Sequence, residues 1–485
     1  MGALRARDRR LIGAIALFAL LACVYGWSVG LRATRGASIT ADEPFYLLTT
    51  QSLIEDGNLD LTGQYERESW RSFFDHPDGL WKQSVPGDDG RLLSPHEPGL
   101  SILLVPGFGI GGLSGAQVQM LLLTAATFAL AFVLVALETR AVLVSWLATA
   151  AVGLTATAFV YSTEIYPEAP AALLLVLSLL LARRPRLGSW HGIVMAGLLT
   201  TLAWFGMKYV PLGCLVGAYF LWRAEGRGRA TLVGVSVLSA AAYVWLHFAI
   251  YGALTAYNGN TVFEGAPTTE VVRAHLGFGT RVYRLWGLFI DERFGVGRWA
   301  PVLLPVLPAL PLLLRRGSLG ALALGLIATQ LAIATFVAIT MMGWWFPGRT
   351  LMAVFPLFAL VLTELALRLP RAGRAVLGGL GIASLVFVAG LTRAARAGEV
   401  TLAVDPFEMS SVAFRAAAVL FPDYRVWTEG TVAGTAAWLA SGGVFAVWLQ
   451  RDAVRAGMGQ GRALASRVPR TSRRLERGEE TEAVR

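Results

Sequence analysis

Asp42 and Glu43 stand side by side in Ser38-Ile39-Thr40-Ala41-Asp42-Glu43-Pro44-Phe45-Tyr46, directly after the first long apolar run. Pro44 keeps Glu43 out of the helical region, so the pair falls in a turn from which one carboxylate can point back toward a bilayer surface. Ionisable groups at that depth are costly and are usually kept for function. The plainer reading is a helix start, with Asp42 capping a short interfacial helix that begins at Pro44 and Glu43 merely solvated. Three further charged residues sit at apolar boundaries: Glu168 after Pro167, Lys208 in Met207-Lys208-Tyr209, and Arg349 closing Gly343-Trp344-Trp345-Phe346-Pro347-Gly348-Arg349. Acids and isolated cations at one membrane face suit transfer from a lipid phosphate. A base takes the proton of an acceptor hydroxyl, while the phosphate leaving group needs cations rather than an acid. Asp42 is the candidate base. Lys208, as a point charge, and Arg349, as a bidentate fork, are candidates to hold the phosphate, with Glu43 or Glu168 orienting a sugar. Each has a bland alternative: Lys208 snorkels, Arg349 belongs to an aromatic belt, and Glu168 is a first-turn acid favourable to its helix dipole.

The elements that must bring these residues together are membrane helices. The chain has 485 residues, 55% of them hydrophobic and 15% charged, with mean hydropathy +0.57. A soluble globular protein carries about 45–50% apolar and about 25% charged residues, so that class is excluded. The net charge of +10 falls between and after apolar runs, which reads as a topology signal rather than a nucleic-acid footprint. Apolar runs of spanning length predict about twelve transmembrane helices in an all-α polytopic protein. The first run, 11 to 31, is too long for a signal-peptide core and is read as an uncleaved helix. Cys23 and Cys214 both lie in apolar runs and suggest neither a disulfide nor a thiolate metal site.

Charge sets the expected sidedness. With Arg5, Arg7, Arg9 and Arg10 cytoplasmic, the Arg-rich joints at 183–186, 223–229, 315–316 and 368–374 and the tail after Gln450 alternate to the same side, provided that 98–115 does not span. That segment is broken by Pro106, Gly107, Gly109, Gly111 and Gly112, and is expected to be interfacial or re-entrant. The expected layout is therefore a transmembrane catalytic domain over 1–450, with a large first extracytoplasmic loop and interfacial segment at 32–115 and a small outer loop at 392–430. A disordered Arg-rich cytoplasmic tail follows at 451–485. Both termini are cytoplasmic in this scheme, and the site opens on the outer face of the plasma membrane. His76 near Asp75 and Asp78, and His96 beside Glu97, could accept a divalent cation, but no spacing matches a defined metal motif, so no metal ligands are assigned and the cofactor stays open. No Walker A loop or Gly-x-Gly-x-x-Gly unit is present.

The segment Ala41-Asp42-Glu43-Pro44-Phe45-Tyr46 resembles the acidic first-loop motif of the glycosyltransferase C superfamily, in particular its protein O-mannosyltransferase-like and lipid A aminoarabinose transferase-like members. Leu93-Ser94-Pro95-His96-Glu97-Pro98-Gly99-Leu100 resembles the stretch that closes that loop, with Glu97 where many members carry proline. Tyr161 to Glu168 is similar to the second acidic loop, Met207-Lys208-Tyr209 to the lysine motif, Leu288 to Pro301 to a later segment, and Gly343 to Arg349 to a Gly-Pro-Arg motif, here ordered Pro347-Gly348-Arg349. The resemblance implies an inverting hexosyl- or pentosyltransferase. Its donor would be a polyprenyl-phosphate sugar and its acceptor a hydroxyl on a glycan, lipid or protein, with Asp42 as base and Glu43, Tyr46, His96, Glu168, Lys208 and Arg349 contacting substrate. The rival reading is a transporter or flippase of lipid-linked sugars, which also needs a polar cavity with a few charges.

Overall fold

The computed structural model describes residues 6–87, 89–262, 268–275 and 278–465. Its described residues form helices and loops, with two isolated bridges, Asp60 with Leu93 and Ser84 with Asn260, and no strand. Seven helical stretches are long and apolar enough to cross a membrane: Arg7–Ser28, Gly99–Thr139, Gly226–Gly259, Pro301–Val337, Arg349–Arg368, Arg371–Arg396 and Glu429–Arg451. Shorter apolar helices occupy Val142–Gly153, Glu168–Ala182 and Ser189–Phe205. The stretch Pro301–Val337 reverses at Gly317 (φ 65°), where Gly320 lies against the Leu313 carbonyl. Counting its two arms separately, counting Gly99–Thr139 once with 98–115 as its folded-back start, and adding Val210–Arg223, the described residues hold twelve rods, the number that the apolar runs suggest. Large apolar side chains on Gly226–Tyr251, among them Val237, Leu238 and Trp245, face outward. An exposed stripe of that kind needs lipid against it. The protein is an all-α polytopic membrane protein.

Helix α1 (Ala6–Tyr25) ends near a long loop that starts with α2 (Glu43–Glu55), which has Pro44 in its first turn. Helix α3 (Gly99–Thr139) is broken at Gly111 and Gly112, where φ and ψ leave the helical region. Its first arm folds back on the second: Gln119 accepts from the Gly107 N–H at 2.8 Å and donates to the Leu103 carbonyl at 2.6 Å. Gly107 and Gly115 meet there, so close that a Cβ on Gly115 would lie 2.1 Å from the Gly107 carbonyl oxygen. The segment 98–115 is thus the first arm and the turn of a helical hairpin.

Helices α4 (Val142–Gly153), α5 (Ala156–Tyr161), α6 (Glu168–Ala182), α7 (Ser189–Phe205), α8 (Val210–Arg223) and α9 (Gly226–Tyr251) follow. Later come α10 (Gly317–Ala332), α11 (Phe355–Arg368), α12 (Arg371–Arg396) and α13 (Glu429–Ala465). Helix α13 continues past residue 450 into the stretch expected to be a structureless tail, and 466–485 lie outside the described residues. The 392–430 loop packs on the first loop, with Leu402 and Ala403 N–H groups donating to the Arg32 and Ala33 carbonyls. Helices α6 and α11 each have one end among the candidate residues and the other in an arginine-rich network. In that network Arg316 and Arg368 both pair with the fully buried Glu364, and Arg183 pairs with Glu138. One turn of helix rises about 5.4 Å, so α6 alone separates these two polar ends by roughly 20 Å.

Candidate active site

Four residues far apart in the sequence meet in one cluster. Arg349 opens a 3-10 turn, Arg349–Val354, entered through Gly348 in the left-handed region (φ 91°). Its Nη2 donates to Asp42 Oδ2 at 2.7 Å and its Nε to Glu168 Oε1 at 3.2 Å. The guanidinium lies 3.8 Å from the centroid of the Tyr166 ring, which adds a cation–π contact under the fork. Lys208 sits on the turn Met207–Tyr209 between α7 and α8, and its Nζ donates to the same Glu168 Oε1 at 2.7 Å. The lysine side chain is 39% exposed while that of Glu168 is 2% exposed. A buried carboxylate at the first turn of α6 therefore holds both cations, one of which still reaches open space.

The capping role is absent from Asp42: α2 does start where expected, but the Asp42 side chain makes no cap hydrogen bond. It faces Arg349, and on its other side lie Gln83 Nε2 at 3.4 Å and His96 Nε2 at 3.8 Å. Gln83 Oε1 and His96 Nε2 are 2.8 Å apart, so the loop residue Gln83 ties the two together. Burial alone would raise the Asp42 carboxyl, but the charges of Arg349, His96 and Lys208 outweigh it and hold the group well below the usual carboxylate range. Burial lowers the His96 imidazole, against the pull of Asp42. The ring of Tyr46, one helical turn along α2 from Asp42, tilts over His96 at 4.7 Å.

Glu43 is engaged differently from a solvated or sugar-facing acid. It is 1% exposed, with Oε1 accepting from the Thr40 N–H at 3.0 Å and Oε2 from the Ile165 N–H at 2.8 Å. Both oxygens are thus spent on backbone, and the residue braces the first acidic loop against the second. Burial pushes its carboxyl up to about 7 despite those two bonds.

Several participants are not among the candidate residues that the sequence marks one by one. Glu164, four residues before Glu168, is buried with neither carboxylate oxygen hydrogen-bonded, and burial with Glu43 nearby drives its carboxyl well above the usual range. An i, i+4 acid pair was a usable clue to it; Gln83 and Tyr166 offered none. Thr157 and Tyr161 on α5 donate to the Pro347 and Phe346 carbonyls and so fix the approach to Arg349. Away from the cluster, Glu97 accepts from Tyr243 at 3.0 Å and pairs with His247 at 2.6 Å, pinning the end of the first loop to α9. His76 stacks on Phe74, and Asp75 is taken by Arg32 and Ser38. Asp291 accepts from the N–H groups of Arg293, Phe294 and Tyr424 and holds a turn. Among the described residues no group of three or more His, Cys, Asp and Glu side chains is set to hold a metal ion.

The cluster joins two cations to two carboxylates through charge-assisted bonds, with Gln83 and His96 beside Asp42. No known protein-family profile matches the chain. No curated protein matches it either. The chain is similar to the crystal structure of ArnT from Cupriavidus metallidurans bound to undecaprenyl phosphate, with a TM-score of 0.46 and 16% identity, over 88% of this chain and 70% of that one. The likeness is distant.

Proposed function

We propose that the protein is a membrane glycosyltransferase that moves a sugar from a polyprenyl-phosphate donor to an acceptor hydroxyl at the outer membrane face. The observation that carries this reading is the convergence of Asp42, Glu168, Lys208 and Arg349, from four separate segments, into one set of charge-assisted bonds. In the proposed step the acceptor oxygen attacks the anomeric carbon opposite the phosphate and inverts it. The bond from that carbon to the phosphate oxygen breaks, Asp42 takes the acceptor proton, and the polyprenyl phosphate departs held by Lys208 and Arg349. Paired with Arg349, Asp42 is a weak base. A donor phosphate that draws the guanidinium to itself weakens that pairing, so donor binding raises the basicity of Asp42 when an acceptor is needed. Glu168 keeps the two cations converged, and Gln83 and His96 orient Asp42. The expected sidedness follows the arginine bias: termini cytoplasmic, cluster extracytoplasmic.

The test is transfer from radiolabelled polyprenyl-phosphate sugars by the purified protein. Asp42→Asn is expected to lower turnover by about 10²- to 10⁴-fold with donor binding retained. Arg349→Lys is expected mainly to raise the donor KM, because a point charge replaces a fork. Wild-type turnover in Asp42→Asn removes Asp42 from the reaction. Donor translocation across a bilayer without transfer favours a transporter instead.

A further inference from the structure

On the side of α5 opposite the charged cluster, the site-side ends of α1 and α12 line an open groove of about 610 Å³. Leu20, Val24, Leu154, Phe159, Leu385 and Val388 give it an apolar lining, and Arg393 and Arg396 stand with Trp27 at its mouth. Arg396 donates to the Trp27 carbonyl at 2.9 Å and lies 5.9 Å from the Trp27 ring centroid. The Arg393 side chain is exposed and makes no hydrogen bond or ion pair with a described residue, while its carbonyl accepts from the Ala397 N–H within the helix. Glu399, the carboxylate that feels its charge, accepts instead from the Ser410 N–H. The helix dipole favours basic residues in the last turn of α12. It does not call for an apolar cavity beneath them, nor for two arginines on the face that also carries the cluster, which runs against the charge bias expected there.

We propose that this groove binds an anionic glycerophospholipid, one acyl chain filling the apolar cavity and the phosphate held by the Arg393 and Arg396 guanidinium groups. Arginine forks match phosphate oxygens, and basic pockets between membrane helices select anionic headgroups. The cavity follows α1 and the 3-10 turn after it only from Leu20 to Trp27, roughly 10 Å. That depth accepts the upper part of one acyl chain and asks nothing of a longer isoprenoid. The proposal stands apart from the glycosyltransferase reading and can fail or hold without it.

The test is native mass spectrometry of the full chain, purified in neutral detergent and offered phosphatidylglycerol and phosphatidylcholine of identical acyl chains at equal concentration. The wild type is expected to retain phosphatidylglycerol in preference, and Arg393→Gln to cut that preference about fivefold. Arg393 makes no bond that folding needs, and an unchanged melting temperature verifies this. Cys23 lines the same cavity, so N-ethylmaleimide on a Cys214→Ser background should block it and abolish retention. Equal retention of both lipids overturns the proposal, as does a preference that survives both Arg393→Gln and alkylation. Displacement of phosphatidylglycerol by equimolar polyprenyl phosphate overturns the assignment of a glycerophospholipid.

Discussion

Glu43 and Asp42 are adjacent acids with opposite fates, and the difference lies in what each oxygen meets. Asp42 meets a guanidinium and stays anionic; Glu43 meets two backbone N–H groups in a fully buried turn, and burial lifts its carboxyl to about 7 from an ordinary 4.5. The folded protein therefore keeps a proton on Glu43 that the unfolded chain releases between these two values. Its contribution to stability is fully present below about pH 4.5 and is lost as pH rises through about 7. Glu43→Gln removes the titration but not the shape, at the cost of setting an amide NH₂ against one of the two N–H donors. The expected outcome is that wild type loses ground to Glu43→Gln in melting temperature between pH 5 and pH 8. His96, whose imidazole burial lowers, is present in both proteins. A difference between the two that stays constant across this range would mean that Glu43 holds no proton to lose.

At the scale of elements, Arg349 depends on a turn that tolerates almost no change. Gly348 has φ 91°, and a Cβ there would lie 2.7 Å from both Thr157 Cγ2 and Val296 Cγ1. Left-handed backbone costs a residue with a Cβ about 1–2 kcal/mol before any clash. Gly348→Ala is expected to lower the melting temperature by several degrees and to raise the donor KM, because the turn carries the guanidinium away from Asp42 and Glu168. Gly378, in the open on α12 with nothing within 4 Å of a Cβ, is the control: Gly378→Ala should leave both unchanged or slightly improve stability. A Gly348→Ala protein that melts early but binds donor normally would separate the turn from the site. This scale also explains what the sequence made legible. Asp42, Glu168, Lys208 and Arg349 stand out because charge at an apolar boundary is expensive, so each is conspicuous one residue at a time. Gln83 and the Glu97–His247 pair are neutral or distant partners whose roles arise only from the path of the first loop, and Tyr166 is a neutral ring that matters only once Arg349 lies over it. The hairpin within α3 was visible as a cluster of glycines, but its closeness at Gly107 and Gly115 depends on two backbones touching.

Across the whole molecule, two polar ends are separated by the apolar lengths of α6 and α11, and their charge balance differs. The end holding Glu364 brings together Arg183, Arg316 and Arg368 with two acids, and Arg223 and Arg315 cap carbonyls nearby. The other end carries the acidic first loop and the cluster around Arg349. Basic residues concentrate on the cytoplasmic side of a bilayer, so the Glu364 end should face the cytosol and Asp42 the exterior. Asp78 is 91% exposed at the cluster end, and Arg371 is exposed at the other, where α12 begins. In a Cys23→Ser, Cys214→Ser background, Asp78→Cys should react with a membrane-impermeant maleimide in intact cells, and Arg371→Cys only after permeabilisation. Because α11 and α12 are consecutive, this pair also fixes the direction of Arg349 relative to Asp42 without touching either. Labelling of Arg371→Cys but not Asp78→Cys in intact cells would invert the protein. The cluster would then face the cytosol, where a donor carrying its sugar on the outer leaflet cannot reach it, and the transfer reaction would have to be sought with a cytoplasmic-face lipid phosphate.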